Sequence, residues 1–228
     1  MMKQAEVLEI IKRELRNGIL PFGFEVAIGQ RNTIVIEKNE RKKIIYDDFK
    51  VEDFFTLITI LEIENVVTPI LRKNGLIGGA DDELMVTSSL NKLEPELFEK
   101  NLNPSYPKTI ATEQDVLDLL NDLKEYAENV AEPFFEKWSD LRMLDKFLDT
   151  VPQMEVHNYL GGYGVFSKIL IYKLCNNPNY QEYFDMMYSF AINRYEENPN
   201  ADIAIKQKHD FMIDFKEILD NTAPIYNL

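Results

Sequence analysis

Thr112-Glu113-Gln114-Asp115-Val116-Leu117-Asp118-Leu119-Leu120-Asn121-Asp122-Leu123-Lys124-Glu125-Tyr126-Ala127-Glu128-Asn129-Val130-Ala131 is the stretch at which the character of the chain changes. Val116, Leu119, Leu120, Leu123, Ala127, Val130 and Ala131 keep helical period, which places them on one apolar face. Thr112 with Asp115 three residues on is a capping-box pattern, although Asp is shorter there than the usual Glu. Pro133 lacks an N–H and clashes with the carbonyl of Asn129, so the helix ends or kinks at that point.

Downstream, every segment reads as helix. Ser139 is the expected cap of a helix carrying Leu141, Leu144, Phe147 and Leu148, closed by Pro152. From Gly164 the spacing predicts helices over 165–176, 180–195 and 202–220, separated by the turn dipeptides Asn177-Pro178 and Asn198-Pro199.

Upstream the pattern is mixed. Residues 2–17 read as a helix stopped by Gly18, and Pro21-Phe22-Gly23 as a turn. Phe24–Ile28, Asn32–Glu37 and Arg41–Tyr46 follow as short β-prone runs of an antiparallel meander, with Phe54–Ile63 a longer strand candidate. Asn65 is the expected cap of a helix over 66–73, which puts Pro69 in its first turn. Glu83–Ser88 is a further strand candidate. Residues 91–108, broken by Pro95, Pro104 and Pro107, read as loop with a short helix near Glu96–Lys100. The expected fold is therefore α+β: an N-terminal helix with an antiparallel β-sheet, followed by an all-helical C-terminal half. The expected regions are 1–110 and 112–228, packed as one compact unit.

The chain has 228 residues and a net charge of −14, from 25 basic and 39 acidic side chains. Residues 1–50 carry 10 basic and 8 acidic groups, which leaves 15 and 31 for residues 51–228. So negative a body repels phosphate backbones and anionic lipid, which argues against nucleic acid and membrane and for a basic protein as the long-range partner. Arg41-Lys42-Lys43 is a local exception that suits the guarding of a sheet edge. Cys175 is the only cysteine, so no internal disulfide or cysteine-rich metal site exists. The N-terminus is charged rather than an apolar signal core, and no run is long enough to span a membrane. A reducing cytoplasm is the expected location.

Catalytic patterns are missing. Gly161-Gly162-Tyr163-Gly164 lacks the spacing of a phosphate-binding loop and reads as a turn. Asp81-Asp82-Glu83 is the one candidate cation cluster, but it has no alternating calcium-loop pattern. His209 and Asp214 point to different helix faces, and Cys175 sits on an apolar helical period. No cofactor is expected and no catalytic residue stands out.

One bias does stand out. Seven of the eleven tyrosines lie between 159 and 195: Tyr159, Tyr163, Tyr172, Tyr180, Tyr183, Tyr188 and Tyr195. Tyrosine joins a large apolar body to a polar tip, which suits interface anchors. Tyr159, Tyr163, Tyr180, Tyr183 and Tyr188 are the candidate partner-binding residues. The other reading of these rings is ordinary helix packing with hydroxyls reaching solvent.

The N-terminal helix with Pro21-Phe22-Gly23-Phe24, the segment Ile60-Leu61-Glu62-Ile63-Glu64-Asn65-Val66-Val67, and Pro133-Phe134-Phe135-Glu136-Lys137-Trp138-Ser139-Asp140-Leu141 occur here in one order. That order resembles a loosely defined group of uncharacterised bacterial proteins with an α+β front and a helical back, of the polymorphic-toxin immunity type. The resemblance implies a protein that neutralises another protein, and it carries over no catalytic residues. The expected function is accordingly non-enzymatic protein binding through an acidic, tyrosine-rich surface. The alternatives are a hydrolase with a site assembled from scattered carboxylates and a helical scaffold.

Overall fold

The computed structural model describes residues 2–19, 25–28, 34–39, 42–46, 55–78, 87–100, 110–199 and 202–226. The Pro21–Phe24 turn, Arg41, Asp81-Asp82-Glu83, most of the strand candidate at 83–88, and Pro104 and Pro107 lie outside the described residues.

The α+β expectation, with its antiparallel sheet in front of an all-helical half, is corrected: the described residues are mostly helical, with helices in both halves. Helices α1 (Gln4–Arg16), α2 (Leu61–Lys73), α3 (Leu90–Leu93) and α4 (Pro95–Lys100) occupy the front half. They are followed by α5 (Glu113–Tyr126), α6 (Glu132–Trp138), α7 (Leu141–Thr150), α8 (Val156–Leu160), α9 (Gly164–Leu174), α10 (Tyr180–Glu197) and α11 (Ile203–Asp220). Strand is confined to short runs, β1 (Glu25–Ile28), β2 (Ile34–Asn39), β3 (Lys42–Tyr46), β4 (Phe55–Thr59) and β5 (Thr87–Ser89). The backbones of β1 to β4 pair antiparallel in sequence order, and among the strand side chains described, Thr56, Ile58 and Thr59 of β4 are buried.

The reason for the correction lies in short apolar runs, whose helix or strand identity periodicity alone does not decide. The run 54–63 is split: five residues are strand, and α2 starts at Leu61 rather than after Asn65. Pro69 therefore falls well inside α2, where it removes the N–H that Asn65 O would accept. The stretch read as loop holds α3 and α4, with Pro95 in the first helical position, where its missing N–H costs nothing.

Contacts divide the chain into two compact units, each made of two segments: residues 1–59 with 88–139, and residues 60–87 with 140–228. In the first, α1 buries Val7, Leu8, Ile10 and Ile11, and α5 buries Val116, Leu119, Leu120 and Leu123. An Arg13–Glu113 ion pair at 2.7 Å links these two helices, and Thr56 and Tyr126 share a buried hydroxyl hydrogen bond of 2.6 Å. The capping box at Thr112 forms: Asp115 N–H donates to Thr112 Oγ1, and Thr112 N–H donates to the Asp115 carboxylate. The Ala111 and Thr112 amides hold the Asp115 carboxyl below its usual range. Ahead of Pro133 the helix widens into a π turn over Ala127–Ala131, and Glu132 N–H reaches back five residues to Ala127 O. A π turn shifts the register so that proline opens a new helix instead of interrupting one.

In the second unit α9 is the centre. It is apolar almost all round, and nine of its eleven residues are buried. Helices α2, α7, α8 and α10 pack around it, and α11 reaches it through Phe211 and Phe215 against Phe166. Asp214 anchors α2 to α11 by accepting from Asn74 Nδ2 at 2.8 Å and Lys73 Nζ at 2.9 Å, and both partners hold its carboxyl below the usual range. Asp140, not Ser139, caps α7: it accepts from Arg142 N–H, while Ser139 Oγ donates to Phe135 O. Residues after α11 return to α9, where the Ile225 and Tyr226 amides both donate to Leu174 O.

Candidate functional site

The five tyrosines do not form one patch. Tyr159 packs edge-on against Phe147 at 5.0 Å. Tyr163 stacks on Phe166 and donates its hydroxyl to Leu76 O at 2.6 Å. Tyr180 and Tyr188 flank Phe184 one turn either side along α10. Tyr183 turns towards Tyr172 on α9, and its buried hydroxyl has no hydrogen-bond partner among the described residues. All five are half-buried. The large apolar groups that α10 turns outward are others: Met186 is 44% and Phe190 58% exposed. Of the 18 residues of α10 only Phe184 is buried.

This outer face is acidic. Glu182, Asp185, Glu196 and Glu197 on α10 are exposed, against a single Arg194. Gln153 Nε2 donates to Met187 Sδ at 3.0 Å, which ties the 3₁₀ turn at 153–155 to α10 beside Met154, the most exposed large apolar residue described. Sequence reading passed over Met186 and Phe190 because tyrosine content drew the attention. The signal present was an apolar pair at i, i+4 between acids, on a helix with too few inward residues for its length.

Beneath that face lies a buried polar network on α7, α9 and the turn after α9. Lys168, 5% exposed, donates Nζ to Leu148 O at 2.7 Å and stands about 5 Å from the ring centroids of both Tyr172 and Tyr183. Tyr172 donates its hydroxyl to Asp149 Oδ1 at 2.5 Å. Asn177 Nδ2 bridges Asp145 and Asp149, at 2.9 and 3.2 Å. Burial lowers the Lys168 ammonium, opposed by Asp149 and Asp145, and raises the Asp145 carboxyl, opposed by Asn177. Burial also raises the Tyr172 hydroxyl, aided by its bond to Asp149, and pushes the Tyr183 hydroxyl up to about 12. A lysine inside the apolar run Val165–Ile171 was the legible signal for this network.

Cys175 is fully buried next to the network, and burial pushes its thiol up to about 12. The thiolate is the reactive species, so native Cys175 is expected to react with a disulfide reagent at pH 8 at least about a hundredfold more slowly than the urea-unfolded chain. Absorbance of the released chromophore checks this. A native rate equal to the unfolded one would mean that α9 does not enclose the sulfur.

The remaining sequence candidates are dispersed. His157 is exposed, while His209 is half-buried, packs on Tyr195 and bonds Asp210 at 2.9 Å. Gly161 takes φ +77° at the end of α8, and a Cβ at Gly164 would stand 2.9 Å from Leu160 Cβ, so chain geometry and packing explain these two glycines. Among the described residues no group of three His, Cys, Asp or Glu side chains is placed to hold a metal, and no helix is long and apolar enough to cross a membrane. Comparison of the chain with family models, with curated proteins and with solved structures finds no match.

Proposed function

We propose that this chain is a non-enzymatic cytoplasmic protein that binds a basic protein through the outer face of α10, an inhibitor-like role of the kind the toxin-immunity resemblance implies. The observation that carries the reading is α10 itself: an 18-residue helix with one buried side chain and Met186 and Phe190 exposed among acids. A helix normally gains its stability by burying an apolar stripe, so a long helix that leaves apolar groups outside suits a partner. Surrounding acids steer a basic partner to the face, and Phe190 and Met186 slow its departure.

The test is capture from extract of the source cells on immobilised protein, followed by titration of the captured protein in purified form. The expected partner is basic, its capture falls at high salt, and Phe190→Asp with Met186→Asp weakens the purified complex at least about a hundredfold. Salt-independent association, or full affinity of the doubly substituted protein, overturns the reading. Both substitutions are at exposed sites, so the fold remains intact in the comparison.

A further inference from the structure

On the other side of Phe190, between α10, α11 and the start of α9, lies a cavity of about 340 Å³. Its walls are apolar: Val165, Phe166, Met187, Phe190, Ala204 and Ile205. The size falls within the range of small-molecule sites. Two cations line it, Arg194 from α10 and Lys208 from α11. Neither makes an ion pair or donates a hydrogen bond among the described residues, and the guanidinium of Arg194 lies 5.8 Å from the Phe190 ring centroid.

Acids outnumber bases 39 to 25, and the neighbouring lysines of α11 are both paired, Lys206 with Asp210 and Lys216 with Asp220. The one carboxylate on the rim, Asp202, caps α11 by accepting from Ala204 N–H at 3.0 Å, and it pairs with neither cation. Two uncommitted positive groups at the mouth of an apolar cavity complement a ligand with one negative head and an apolar body.

We propose that this cavity binds an apolar monocarboxylate, its carboxylate held by Arg194 and Lys208 and its hydrocarbon body among Phe166, Met187, Phe190 and Ile205. Charge-assisted hydrogen bonds to the carboxylate supply specificity, and burial of the hydrocarbon supplies affinity. The site uses the inner side of Phe190 and does not depend on a protein partner.

Decanoate and 1-decanol, each below its aggregation limit, are the probes, titrated calorimetrically into the whole chain. Decanoate is expected to bind at least about tenfold more tightly than the alcohol, a preference that the exposed-site variant Arg194→Gln with Lys208→Gln abolishes. Ala204→Phe, which fills the cavity, is expected to remove binding of both, and a thermal melt confirms that each variant is folded. Equal affinity for acid and alcohol, an acid preference that survives the double charge substitution, or no binding of decanoate overturns the proposal. Because Met186 is not among the residues that line the cavity, Met186→Asp leaves decanoate binding intact, so this result is separable from failure of the protein-binding reading.

Discussion

Replacing Phe211 by alanine is expected to lower the unfolding free energy by about 3–5 kcal/mol, the range for deleting a buried ring. Phe211 is fully enclosed, 4.2 Å from the Phe166 centroid and 5.2 Å from that of Phe215. These three rings join α11 to α9, and a cavity there collapses poorly because aromatic neighbours on two rigid helices have little freedom to close it. Phe190→Ala, on an exposed ring, is expected to change stability by less than about 1 kcal/mol. Urea unfolding of the two variants measures the contrast. Equal losses would show that the two rings do not differ in burial, and the assignment of Phe190 to an outer face would go with that.

Lys168→Ala is expected to cost a similar amount, about 3–5 kcal/mol, for a different reason. The ammonium supplies the donor for Leu148 O and, among the described residues, the one buried positive charge near Asp145 and Asp149. Its removal leaves the Leu148 carbonyl without this donor and leaves buried Asp145 with Asn177 as its hydrogen-bond donor and the exposed Lys146 as a nearby cation. Lys168→Met keeps the hydrocarbon stem against Tyr172 and Tyr183, so it is expected to be the milder change. The pH dependence has a definite sign. The folded-state pKa of Asp145 is raised above its ordinary 3.8, mainly by burial, so the folded protein binds this proton more tightly than the unfolded chain. Stability from this group is therefore present at low pH and falls as pH rises from about 3.8 through the raised folded value. Loss of Lys168 lifts that value further. The deficit of Lys168→Ala is then largest near neutral pH and shrinks as pH falls towards the carboxyl range. A deficit independent of pH would mean that Lys168 and Asp145 do not interact.

The helices after residue 112 were legible because their signals are local. Thr112 with Asp115, the Pro178 and Pro199 breaks, and long apolar periods each depend on a few neighbouring residues. The front half was less legible because its apolar runs are short. Residues 54–63 satisfy strand propensity and helical placement alike, and α2 is decided by packing against α9 and α11, which lie far away in sequence. Its internal proline argued for a start at Asn65, yet tertiary burial of Ile63, Val67, Ile70 and Leu71 outweighs the bond lost at Pro69. The tyrosine bias was visible, but which side each ring faces was not: Tyr163, Tyr183 and Tyr159 are turned by partners more than a helix turn away. The cationic cavity had no sequence signal, because Arg194 and Lys208 come together only when the two helices fold back on each other.

The interleaving of the two units has a consequence for how the chain emerges from the ribosome. Residues 1–59 leave first, yet their companions 88–139 arrive only after the intervening α2, which belongs elsewhere. Helix α2 in turn waits for everything from residue 140 onward before its apolar face is covered. Nascent chains halted near residue 110 would carry incomplete parts of both units, with apolar surface open to chaperones or proteases. A split of the gene anywhere between codons 60 and 139 would leave neither unit whole, so two-piece reconstitution at such a site calls for mixing of the unfolded halves rather than docking of finished ones.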